Sequence, residues 1–243
     1  MGFGNMYESK YSKLLTVILV IVILVVIGLL AFFGYDVYKQ YYIDKESKDV
    51  VSQFEQQLNN NLNQEAVGSV EWNSNILDLN VNLNIIDTNT NNENSSSGGG
   101  NSSGGRPNIV YKGYNVIGTI KIPATDIEYP ILDQVSIRSL EASIGCIYTT
   151  GGGLNTVGNC VLVGHNYRNG TFFSNNKKLQ NGDKIYITDL SGKKVTYEVY
   201  KKYETSTNDF DYATRDVNGK REISLSTCTD DSKRRVIIWA REQ

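Results

Sequence analysis

Histidine is almost missing from this chain: its 243 residues contain one, His165. Cysteine is scarce as well, with three residues, Cys146, Cys160 and Cys228, and no C-x-x-C pair among them. One imidazole and three scattered thiols cannot supply the two ligand pairs of a structural zinc site, so no metal and no cofactor is expected. The odd count also leaves at least one thiol free whatever pairing occurs. Charge of one sign is lacking too: 24 Lys and Arg stand against 26 Asp and Glu, and no basic run is interleaved with aromatics. Without a positive field for a phosphate backbone, nucleic acid is excluded as an expected partner.

Apolar residues, by contrast, are present but unevenly placed. From Leu14 to Phe33 the chain is almost wholly Leu, Val, Ile, Ala and Phe without a charge, a run of about 20 residues able to span about 30 Å as a helix. It exceeds a signal-peptide core and carries no small-x-small cleavage site behind it, which predicts an uncleaved anchor over 14–33 after a cytoplasmic tail at 1–13. Tyr35, Tyr38, Tyr41 and Tyr42 follow where an interfacial aromatic belt is expected. Lys10 and Lys13 before the span are matched by Lys39, Lys45 and Lys48 after it, so the positive-inside rule leaves orientation open.

Residues 34–86 read as a stalk. Val51, Phe54, Leu58 and Leu62 recur at helical spacing, and Leu77, Leu79, Val81, Leu83 and Ile85 alternate with polar residues as in a half-buried strand. Residues 87–108 are Asn, Ser, Thr and Gly, including three successive glycines from Gly98, and read as a flexible linker that marks a domain boundary. The remainder, 109–243, holds short runs rich in Val, Ile, Tyr and Thr: Val116–Ile122, Cys160–Val163, Lys184–Thr188, Val195–Tyr200, Glu222–Thr227 and Val236–Ala240. Asn181-Gly182 and Ser191-Gly192 mark two of the turns. The fold class predicted is all-β, a barrel or sandwich, with one or two short helices near Ser136–Ser143 and Phe172–Leu179.

Three residues in this region can carry chemistry. His165 follows the apolar strand Val161-Leu162-Val163, and being the only histidine it must serve any Cys-His mechanism. Cys228 closes the strand Ile223 to Cys228 and is followed by polar Thr229-Asp230-Asp231. After that turn, Lys233-Arg234-Arg235 opens a second apolar strand, so a hairpin would bring an arginine beside the cysteine. A thiol, an imidazole and a guanidinium thus each fall at a strand end.

That combination resembles the sortase family. The likeness rests on Gly164-His165 after a strand, on Leu225-Ser226-Thr227-Cys228, and on Arg235 followed by Val-Ile-Ile-Trp-Ala240. It runs through most of Ile117 to Ala240, including Ile122-Pro123, Tyr129-Pro130-Ile131 and Gly158-Asn159. The resemblance implies a closed β-barrel of about eight strands behind a single N-terminal transmembrane helix. It further implies a cysteine transpeptidase at the cell membrane of a Gram-positive cell, with the catalytic domain extracellular. Such an enzyme cuts a Leu-Pro-x-Thr-Gly-like sorting signal of secreted surface proteins through a thioacyl intermediate, and passes the acyl group to an amine of a cell-wall precursor or pilin. Cys228 would be the nucleophile, His165 its acid/base partner and Arg235 the oxyanion stabiliser, with Thr227 and Asn166 as supporting groups. Arg235 is preferred to Arg234 because its distance to Ala240 matches the family's spacing. Ser224 departs from the family's usual Thr, no Asp-Pro lid precedes the barrel, the stretch from Tyr203 to Glu222 is too short for the helical insertion of class B, and no acidic cluster matches the calcium site of some class A members.

Two alternatives stand beside this reading. Ser143-Ile144-Gly145-Cys146-Ile147 looks like the Ser-x-Gly-Cys-Ile signature of L,D-transpeptidases, which would place the nucleophile at Cys146. A non-catalytic surface β-domain would make all these residues structural.

Overall fold

The runs rich in β-branched residues in the C-terminal half favour strands, and alternate positions along each strand face one common core. The computed structural model describes residues 4–68, 106–148, 150 and 152–243. A long helix, α1 (Gly4–Gly68), is followed by the two-residue strand β1 (Val110–Tyr111), β2 (Tyr114–Ile122), β3 (Ile127–Leu132), the short helix α2 (Ile137–Ala142) and β4 (Ile144–Tyr148). Then come β5 (Gly158–Val163), β6 (Lys184–Asp189), β7 (Lys194–Ser206), the single turn α3 (Asp211–Thr214), β8 (Arg221–Cys228) and β9 (Arg234–Glu242).

The sheet order is β1-β2-β3-β4-β5-β8-β9-β7-β6, and β6 pairs back onto β2 through Thr119↔Thr188 and Ile120↔Ile187. The strands β2 to β9 therefore form a closed eight-stranded barrel, the architecture the resemblance implied, with β1 appended to β2. Neighbours are antiparallel except at β3–β4 and β5–β8. Ile120, Tyr129, Leu162, Ile187, Tyr197, Leu225 and Ile238 fill the interior and are almost wholly buried. Each full burial of such a side chain contributes about 1.5–3 kcal/mol.

Two local features depart from the sequence expectation, and a third meets it. β3 and β4 were not among the expected runs, and β3 contains Pro130. The β3–β4 ladder begins only at Ile131↔Ile144, so Pro130 lies ahead of the point where β4 joins, a position that tolerates a missing N–H. The expected helix over Phe172–Leu179 is a single 3₁₀ turn at Asn176–Lys178. The expected one over Ser136–Ser143 is α2, started by a capping box in which the Ser136 hydroxyl accepts from the Ser139 N–H at 3.1 Å and the Ser139 hydroxyl from the Ser136 N–H at 2.7 Å.

Among the described residues, α1 is long and apolar enough to cross a membrane, and its apolar run is fully exposed on the protein. Further along, Val50, Phe54 and Leu58, spaced by four, lie on one helix face and pack against Ile109, Tyr111, Val116, Leu132 and Ala142 of the barrel. An ion pair between Glu46 and Lys112 at 2.9 Å and a bond from the Asn108 N–H to the Gln57 side chain at 3.2 Å flank that contact. The barrel is thus held to α1 by packing. The expected strand 77–85, and the expected linker 87–108 as far as residue 105, lie outside the described residues.

Candidate active site

The β8–β9 hairpin sets two of the three residues. Its turn is fastened by the Asp231 carboxylate, which accepts from the Thr229 hydroxyl at 2.5 Å and from the Lys233 N–H at 3.1 Å, while the Thr229 N–H donates to the Arg234 carbonyl at 2.9 Å. The register that results makes Cys228 and Arg235 direct partners across the ladder. Partners in a ladder project from the same face of the sheet, so thiol and guanidinium share a face. Arg234 projects from the other, where its guanidinium donates to the Glu204 carbonyl at 3.1 Å. Arg235 is half-buried, and among the described residues its Nε has no hydrogen-bond partner.

His165 arrives on the neighbouring strand. β5 and β8 are parallel, with Val163↔Ser226 their last paired positions, so His165 and Cys228 each lie two residues beyond the same rung. Side-chain bonds continue the pairing past that rung. The Thr227 hydroxyl donates to the Gly164 carbonyl at 2.7 Å, and the Asn166 amide donates to the Cys228 carbonyl at 2.9 Å and to Asp230 at 3.0 Å. The residue before the histidine is thereby tied to the residue before the cysteine, and the residue after the histidine to the cysteine itself. Cys228, His165 and Arg235 stand at one end of three adjacent strands, β5, β8 and β9.

The glycine of the Gly-His pair has a packing reason. A Cβ on Gly164 would lie 2.9 Å from the ring of Phe173, which is fully buried and cannot give way. Beyond His165 the chain makes a tight excursion with Arg168 and Phe172 at positive φ and a lone bridge between Asn166 and Phe172. This excursion returns Tyr167 to the histidine, the two rings in contact with centroids 4.9 Å apart and planes tilted by 33°. Burial lowers the His165 pKa, and the Glu141 carboxylate on α2 opposes this only in part. A neutral imidazole is favoured at neutral pH as a result. Tyr167 and Glu141 were not legible from the sequence: an aromatic two residues past a histidine carries no periodic signal, and α2 reaches the site only through the fold.

A cavity of about 300 Å³ opens on the opposite side of the same strand ends, lined by Asn166, Lys177, Thr227, Asp230, Arg234 and Val236. Its β8 and β9 residues alternate with Cys228 and Arg235, so it lies behind the thiol rather than in front of it.

Cys146 is elsewhere. It sits on β4 inside the barrel core, 3% exposed, with its sulfur 2.8 Å from that of Cys160, which is equally buried. The shared thiol hydrogen bond and burial push its pKa far up, so no thiolate forms there. The alternative that placed a nucleophile at Cys146 is therefore corrected: its thiol is sealed from any substrate and far from His165 in register, since Cys146 pairs with Leu162.

A family model described as a sortase domain matches residues 120–243. Sortase A of Bacillus anthracis is 33% identical over 129 residues, a match covering 50% of this chain and 58% of that relative. The chain thus spans less than two thirds of the relative's length. Among solved structures, a Clostridium perfringens sortase D5 transpeptidase is 22% identical with a TM-score of 0.54, covering 82% of this chain and 99% of that one, a likeness of fold. Sortase A from Corynebacterium diphtheriae is 29% identical with a TM-score of 0.48, covering 54% of this chain and 61% of that one.

Proposed function

Because the chain belongs to the sortase family, we propose that it is a membrane-anchored cysteine transpeptidase, with residues 14–33 as the anchor and the barrel on the outer side. The observation that carries the reading is the shared end of β5, β8 and β9, with Cys228 opposite Arg235 and His165 beyond the same rung of the parallel pair.

The chemistry requires a thiolate, an acid/base and an oxyanion donor. The Cys228 thiolate attacks the carbonyl carbon of the scissile peptide bond in a Leu-Pro-x-Thr-Gly-like signal, giving a tetrahedral oxyanion. Arg235, the ladder partner of Cys228, donates to that oxygen through its guanidinium. The C–N bond breaks as His165, carrying the proton it took from the Cys228 thiol, protonates the departing amine, leaving a thioester on Cys228. An acceptor amine from a cell-wall precursor or pilin then attacks the thioester, His165 removes its proton, and the thiolate is released. Thr227 and Asn166 hold the two strand ends together, and their bonds to Gly164 and Cys228 support that positioning role.

Family membership and the half-exposed thiol both weigh against a merely structural, non-catalytic β-domain. The test is to incubate the chain with a panel of sorting-signal peptides and an amine. Transpeptidation is expected from the native protein and from Cys146→Ala, and is expected to vanish in Cys228→Ala and His165→Ala. Activity that survives Cys228→Ala overturns the reading.

A further inference from the structure

The polarity of the barrel relative to α1 carries a consequence for where the site sits. β2, β5 and β8 all run the same way, because β2–β3 and β4–β5 are antiparallel while β3–β4 and β5–β8 are parallel. β2 ends at the Pro123–Thr125 turn, and that turn faces the membrane-proximal part of α1 across a shared cavity. Thr125, Asn175 and Gly170 line one cavity of about 430 Å³ together with Val37, Gln40 and Tyr41. The Gly170 backbone comes so close to α1 that a Cβ there would lie 3.2 Å from the Gln40 side chain. The ends of β5 and β8, which bear His165 and Cys228, are therefore at the same end of the barrel as the membrane-proximal part of α1.

The height of that end follows from helix geometry. Gln40 is seven residues beyond Phe33, the last residue of the apolar run, a rise of about 10 Å along a helix. The headgroup layer extends about 5–8 Å beyond the hydrocarbon. α1 is continuous through this stretch, the chain has no proline before Pro107, and Val50, Phe54 and Leu58 lock the barrel onto the helix above it. Seen this way, α1 is a stiff post rather than a loose tether.

We propose that α1 seats the end of the barrel bearing Cys228 and His165 against the headgroup layer of the membrane it spans, so that these residues lie beside the lipid surface. The occupant of this face is the bilayer, since the apolar run lies directly beneath it on the same helix. Substrate then enters at the membrane surface, within reach of a polypeptide still held in that bilayer. The inference rests on the anchor reading above and not on the chemistry.

Its test uses the full chain carrying Cys228→Ala in nanodiscs whose lipids bear a nickel-chelating headgroup. Nitroxide labels are attached through Asn169→Cys, on the excursion after β5, or Asn218→Cys, in the turn before β8 at the opposite end. Relaxation by nickel is expected to be several-fold stronger at position 169 than at 218. Inserting two helical turns, seven residues, between Gly34 and Tyr35 lifts the barrel about 10 Å with the same face forward, and is expected to remove most of the enhancement at 169. Equal relaxation at the two positions, or stronger relaxation at 218, overturns the orientation. Flotation of the chain with vesicles separates the two claims: a chain that floats yet shows no difference defeats the orientation alone, and one that does not float defeats the anchor and the orientation together.

Discussion

The Thr227 hydroxyl donates to the Gly164 carbonyl at 2.7 Å, joining the residue before the cysteine to the residue before the histidine. Thr227 is almost completely buried, so neither group has water as a substitute partner. Two strand ends that would otherwise splay beyond their last ladder bond are pinned at the point where thiol and imidazole leave the sheet.

Removing this bond while keeping the shape is expected to uncouple them. Thr227→Val should lower stability by about 1–2 kcal/mol and lower turnover by more than the loss of folded protein accounts for. Thr227→Ser, which keeps the hydroxyl, should retain most of the turnover. Denaturation midpoints measured beside steady-state rates check this; equal losses in both variants would contradict it.

Arg234 and Arg235 are adjacent but leave β9 on opposite faces, and only Arg235 is the ladder partner of Cys228. Arg235→Lys is expected to cost on the order of 10²- to 10³-fold in kcat, because a point charge replaces a planar fork of donors at the oxyanion. Arg234→Lys should change kcat little, since that guanidinium serves the Glu204 carbonyl. Parallel kinetics on the two variants decide between the faces.

A single histidine makes its own titration readable by proton NMR. Burial holds the His165 pKa below its ordinary 6.5, so between the folded value and 6.5 the unfolded chain binds more protons than the folded one. Stability should therefore fall as pH drops from 6.5 toward the folded pKa and be flat above 6.5. Tyr167→Ala exposes the ring and is expected to move the NMR midpoint back up toward 6.5. An unchanged midpoint would show that the neighbouring tyrosine contributes nothing to that burial.

Thiol labelling should distinguish the three cysteines. Cys228 is partly exposed while Cys146 and Cys160 are buried in the core. A thiol-specific reagent is expected to modify Cys228 alone in the native protein, and the other two only on unfolding. Rapid native labelling of Cys146 would contradict its placement inside the barrel.

Much of the site was legible in the sequence because its parts are local. Gly164-His165 and Thr227-Cys228 close apolar strands, and the five-residue turn from Thr229 to Lys233 fixes where Arg235 must land. What could not be read are the features made by distant partners. Nothing in Lys184–Asp189 announces that it closes the barrel on β2, seventy residues earlier in the chain. β3 was hidden by Pro130, whose tolerance depends on where β4 joins. The helical spacing of Val51, Phe54, Leu58 and Leu62 marked an apolar face but not its occupant; Phe54 and Leu58, joined by Val50, pack on the barrel itself. α3 is a single turn held by tertiary bonds, the Asn159 amide donating to the Tyr212 carbonyl at 2.9 Å, and so it carries no sequence period at all.

The most direct test of thioester formation at Cys228 is the intact mass of the protein after brief exposure to a sorting-signal peptide without acceptor amine. The prediction is an added acyl fragment, hydroxylamine-labile as a thioester must be, that maps to Cys228 and builds up because no amine resolves it. An adduct on Cys146 or Cys160, or the absence of any adduct from a folded protein with every peptide of the panel, would contradict it.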